Sequence, residues 1–77
     1  MPDVPILSGK ELINILQQQG FEIIRIKGSH YRLKHIDGRV TTVPLHSNKD
    51  IPKGLLRTII KEDLGITIEE FIKFKNK

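Results

Sequence analysis

The sequence predicts an α+β fold in two layers, ordered α-β-β-β-α, with a three-stranded antiparallel sheet, helices on one of its faces and a short C-terminal helix. Three observations predict it. An apolar stripe at helical spacing, Leu12, Ile15 and Leu16, follows a capping signal at Ser8. Three short runs rich in β-formers come next, divided by Gly28-Ser29 and Asp37-Gly38. A second helical stripe of Leu55, Leu56, Ile59, Ile60 and Leu64 then lies between Pro52 and Gly65.

Each element has a local reason. Ser8 and Glu11 stand at the two positions of a capping box, and Leu7 and Leu12 at those of a hydrophobic staple. Ile13 widens the stripe, and Gly20 suits the left-handed position that ends a helix over about 9–19. Strands are expected over 21–27, 31–36 and 39–45. Asp37-Gly38 is the stronger of the two turn signals, read as a two-residue turn whose central residues both take positive φ. In the second strand His30, Arg32 and Lys34 share one face, expected outward, while Tyr31 and Leu33 point to the other. The register of the first and third strands is open. Residues 44–50 read as a loop. Asp50 then caps a helix with Pro52 in its first turn, and Lys53, Arg57 and Lys61 line its solvated side at i, i+4 and i+8. Thr67 and Glu70 repeat the capping box before a short helix carrying Phe71, Ile72 and Phe74, with a frayed tail from Lys73.

Seventy-seven residues suffice for one domain, expected to span 1–77 with a core of about 8–72. So small a core leaves any active site on its surface. There is no cysteine, so disulfides and thiolate metal sites are excluded. No apolar run approaches the roughly 18 residues of a membrane span. Met1-Pro2-Asp3-Val4 has no basic cluster, so a signal peptide is not expected and a cytoplasmic protein is. The net charge of +4 and pI of about 9.6 suit a polyanionic partner. The charge is concentrated. Arg25, Lys27, Arg32, Lys34 and Arg39 outnumber Glu22 and Asp37 over 21–39, and Lys49, Lys53, Arg57 and Lys61 outnumber Asp50 over 49–61. Exposed aromatics for base stacking are few.

The candidate chemistry centres on Lys27-Gly28-Ser29-His30-Tyr31-Arg32. By itself His30 reads either as an ordinary solvent-facing strand residue or as a proton-transfer group. An imidazole titrates near neutrality and RNA carries its own nucleophile, the 2′-hydroxyl, so a histidine among cations can cleave it without a metal. Lys27, Ser29, Arg32, Lys34, Lys49, Lys53, Arg57 and Lys61 are the candidate RNA contacts. His35 is expected to be a part-buried packing residue, and His46 a solvated loop residue. Three histidines at these spacings match no zinc motif, and no phosphate-binding glycine loop is present, so no metal and no cofactor are expected. A non-catalytic module for structured RNA, or a protein-interaction module, remains open on these residues.

The α-β-β-β-α order is that of double-stranded-RNA-binding domains. Gly28-Ser29-His30, Asp37-Gly38-Arg39, Val43-Pro44-Leu45-His46 and 49–57, in this order and from about Ser8 to Phe71, resemble the HicA-type mRNA interferases. The resemblance implies a double-stranded-RNA-binding-like fold and a ribonuclease toxin that cleaves mRNA and blocks translation. It also implies His30 as the catalytic residue and a HicB-type antitoxin as partner. Two departures stand out: Ser47-Asn48, where the family has Pro-Gly, and Tyr31, where many members have a second histidine.

Overall fold

The structure, a computed structural model, describes residues 4–47 and 49–76. Readings made on residues 1–3, 48 and 77 lie outside them. The chain runs α1 (Gly9–Gln18), β1 (Phe21–Lys27), β2 (His30–His35), β3 (Val40–Pro44), α2 (Lys53–Thr58), a wide helical turn over Ile59–Asp63, and α3 (Ile68–Lys75). The sheet has the order β1-β2-β3, antiparallel throughout, as the sequence predicts.

The local signals act as expected at both capping boxes. The Ser8 hydroxyl accepts from the Glu11 N–H at 3.2 Å, and the Ser8 N–H donates to the Glu11 carboxylate at 3.1 Å. That Ser8 N–H, then the Ser8 hydroxyl, holds the Glu11 carboxyl below its ordinary range. Thr67 and Glu70 repeat the arrangement at the start of α3. Such a cap is typically worth about 1 kcal/mol. The core joins Leu7, Leu12, Ile13, Ile15 and Leu16 to Phe21, Leu33 and Val43 of the sheet and to Leu56, Ile59, Ile60, Leu64 and Phe71. Truncating a fully buried leucine such as Leu33 costs about 2–5 kcal/mol.

Several expectations are corrected. Asp37-Gly38 does not form a two-residue turn. The Gly38 N–H donates to the His35 carbonyl and the His35 N–H to the Arg39 carbonyl, so Ile36 and Asp37 are central and Gly38, at φ +100°, is the bulge residue. The second strand therefore starts at His30 and ends at His35, and the third covers Val40–Pro44. Asp50 is not the N-cap of α2: it forms an isolated antiparallel bridge with Ser8, and the N-cap is Pro52, with no side-chain cap bond. The second helix is not uniform. After Thr58 it widens, with the Leu64 N–H bonding five residues back to the Ile59 carbonyl. Ile59, Ile60 and Leu64 are buried, as their spacing predicts, and the extra residue breaks the even spacing of Lys53, Arg57 and Lys61. Leu55 is exposed rather than buried. The tail is helical to Lys75, because Phe71 is fully buried and Phe74 packs against the core.

Candidate functional site

The hairpin register decides what shares the open face of the sheet. Residues paired across antiparallel strands point to the same side. Leu33 is buried opposite Ile23 and Thr41, and Tyr31 lies opposite Ile26 and Val43, so these face the helices. His30, Arg32 and Lys34 are exposed on the other face, as their alternation predicts. In β1 the register shifts between Ile23 and Arg25, so Arg25 rather than Ile24 pairs with Arg32, and Lys27 pairs with His30. The bulge carries Arg25 and Lys27 onto the His30 face while leaving Ile26 on the helix side. Arg25 is counted in the basic stretch but is not among the candidate RNA contacts. Its signal is the Ile23-Ile24 doublet, since adjacent large apolar residues interrupt a strand's two-residue alternation.

Glu22 pairs with Lys34 farther along this face and Lys27 with His30, but at Arg25 and Arg32 like charges lie directly opposite one another. Such pairs destabilise a sheet by themselves. They are the pattern expected where the surface meets an anion that offsets the repulsion.

The elements also converge at the end of the sheet where His30 stands. Gly28, at φ +59°, turns β1 into β2. The Leu45 N–H donates to the Ser29 carbonyl at 2.6 Å, and His30 pairs with Pro44. A Cβ on Gly9 would lie 2.5 Å from the Pro44 carbonyl oxygen, so only glycine lets α1 start this close to the end of β3. The Ile51 N–H to Leu7 carbonyl bond and the Ser8–Asp50 bridge draw the start of α2 to the same end. There, Ser8, Lys10, Leu45, His46 and Ser47 line a shallow groove of about 340 Å³. His46 is exposed, as expected, but it shares that groove with Lys10, a residue the sequence does not single out because its place depends on the Gly9–Pro44 approach. Lys49 adjoins through its N–H to the His46 carbonyl.

The remaining candidates are placed differently. Lys53 and Arg57 are exposed along α2. Lys61 lies in a cleft with Glu69 and Glu70, not in the groove with Lys10 and His46. Arg39, counted with the basic segment, is engaged structurally. Its Nε donates to Asp37, its Nη1 donates to the Leu64 carbonyl, and its guanidinium stands 5.3 Å from the centre of the Phe21 ring. His35 is half-buried, as expected, edge-on to Phe21 at 5.1 Å. Its Nε2 bonds the Gln19 carbonyl at 3.0 Å, and its Nδ1 lies 3.1 Å from both the Asp37 N–H and the Asp37 carboxylate. Neither nitrogen is left for substrate. Among the described residues no three His, Cys, Asp or Glu side chains are grouped to hold a metal ion.

The chain matches the family described as "HicA toxin of bacterial toxin-antitoxin" over residues 9–66. It is 37% identical over 51 residues to a protein of Pseudomonas fluorescens (strain Pf0-1) named "Probable mRNA interferase HicA". That alignment covers 66% of this chain and 82% of the relative.

Proposed function

Because this chain belongs to the HicA family of toxins of bacterial toxin–antitoxin pairs, we propose that it acts as an endoribonuclease toxin that cleaves mRNA through His30, without a metal ion. One observation carries the reading: an exposed histidine on a strand face beside Lys27, Arg25 and Arg32, where Arg25 and Arg32 lie opposite one another and the acid of that face, Glu22, stands farther along opposite Lys34. RNA brings the phosphate that offsets this repulsion. His30 takes the proton of a 2′-hydroxyl, whose oxygen attacks the adjacent phosphorus. Lys27, Arg32 and Arg25 hold the phosphate oxygens as charge builds on them. Ser29 fixes the strand end through its backbone, and Lys34, Lys49, Lys53 and Arg57 extend the basic surface along neighbouring phosphates. Lys61 has the weakest claim, because Glu69 and Glu70 share its cleft.

The partner is a HicB-type antitoxin that covers His30 or the adjoining sheet edge, where Ile23, Ile24 and Ile26 are exposed. No described helix is long and apolar enough to cross a membrane, and the reading places the protein in the cytoplasm with its mRNA substrate.

The test is His30→Ala. It is expected to lower cleavage by about 10²–10⁴-fold, the usual size of a lost proton-transfer group, with the thermal melt and RNA binding retained. Cleavage at the parental rate contradicts the assignment. Binding without cleavage by the parent protein favours a non-catalytic structured-RNA module, which the same basic face would also serve.

A further inference from the structure

We propose that His46 is the second proton-transfer group of this reaction, donating a proton to the departing 5′-oxygen, and that Lys10 holds the leaving-group side of the RNA in the same groove. The inference rests on the ribonuclease reading of His30. Transesterification needs two proton movements. The bond from the 2′-oxygen to phosphorus forms as the proton of that hydroxyl passes to the neutral His30 imidazole. The bond from phosphorus to the 5′-oxygen breaks as a proton passes from the protonated His46 imidazole to the 5′-oxygen. The products are a 2′,3′-cyclic phosphate and a 5′-hydroxyl, and proton exchange with water resets both rings.

Geometry selects His46. Pro44 is the paired residue of His30, and the Ser29–Leu45 hydrogen bond closes the seam between them. His46 follows Pro44 by two residues, so its Cα lies within roughly 13 Å of that of His30. Two imidazoles extending from such positions can flank one phosphodiester. His35 is not the second group, since both of its ring nitrogens are bonded within the fold at the opposite end of β2. His46 is exposed and lines the groove of about 340 Å³ with Lys10 as its cation and Ser8 and Ser47 beside it. Three backbone ties hold this loop in place: Leu45 to Ser29, Lys49 to His46 and Ile51 to Leu7.

The experiment uses an oligoribonucleotide whose cut site has first been mapped, made with the ordinary linkage and with sulfur replacing the bridging 5′-oxygen there. A thiolate leaves without being protonated. His46→Ala is expected to cut the oxygen linkage about 10²–10⁴-fold more slowly than the parent. It is expected to cut the sulfur linkage within a few-fold of the parent rate. His30→Ala stays slow on both linkages. Lys10→Gln raises KM on both linkages alike. His46→Asn carries the same comparison if the alanine variant melts early. The inference is overturned if His46→Ala cuts the oxygen linkage at the parental rate, if it is equally slow on both, or if sulfur rescues His30→Ala instead. In those three outcomes the parent still cleaves RNA and the reading of the fold as a ribonuclease stands. A parent protein that cuts neither linkage overturns that reading and this inference together.

Discussion

Asp37, Arg39 and His35 lock the end of the sheet remote from His30. Arg39 binds the turn through Asp37 at 2.8 Å, the end of the wide helical turn through the Leu64 carbonyl at 2.8 Å, and the Phe21 ring through its face. A planar guanidinium can make all three contacts and an ammonium cannot. Arg39→Lys is therefore expected to cost about 1–3 kcal/mol in a thermal or urea melt while leaving cleavage per folded molecule unchanged; an unaltered melt would contradict this role. The Arg39 backbone N–H, more than its side chain, holds the Asp37 carboxyl below its ordinary range. A depressed carboxyl stabilises the fold above the carboxylate range, and that stabilisation is lost as pH falls through its folded value. The melting difference between the parent and Asp37→Asn should thus be present at neutral pH and close on acidification; a difference independent of pH contradicts it. His35→Ala should likewise lower stability more than catalysis. The parity of His30, Arg32 and Lys34 was legible because β-alternation is local. The engagement of Arg39 was not, since its partners Phe21 and Leu64 lie far away in sequence.

At the scale of elements, α1, β2 and the capping boxes were legible because each rests on signals within a few residues. The β1 bulge, the wide turn after Thr58 and the true form of the Asp37-Gly38 turn were not, because packing decides them. After Thr58 the helix takes in an extra residue where Ile59, Ile60 and Leu64 are buried, and nothing in the local apolar spacing announces it. Gly9 shows how one close approach builds the site. Its missing Cβ lets α1 begin against Pro44 and Leu45, which bring His46 beside Lys10. Gly9→Ala forces backbone to move, at a cost of about 1–3 kcal/mol. It is expected to reduce cleavage among molecules that remain folded, since the displaced segment carries His46. A folded Gly9→Ala protein with parental activity would show that the approach serves packing alone.

Across the whole molecule the fold separates two kinds of end. One holds the hydrogen bonds of Asp37, Arg39 and His35; the other gathers Lys10, Lys27, His30, His46 and Lys49, with α2 starting beside it. Of the two basic stretches, Arg39 and Lys61 leave that surface and Arg25 stays on it, while Lys10, outside both stretches, joins it. Lys53→Glu with Arg57→Glu is expected to weaken RNA binding and flatten its salt dependence, with the melt changed by no more than about 1 kcal/mol. Unchanged affinity at low salt would remove α2 from the interface. The central claim is that the chemistry uses the 2′-hydroxyl of RNA and side chains of this chain, not a metal ion. The most direct test is cleavage, in EDTA, of a defined RNA and of the same strand with one 2′-deoxy residue at the cut site. The account predicts undiminished cutting of the RNA to a 2′,3′-cyclic phosphate and a 5′-hydroxyl, and none at the deoxy position. Cutting that stops in EDTA and returns with Mg²⁺, or that proceeds at the deoxy residue, would contradict it.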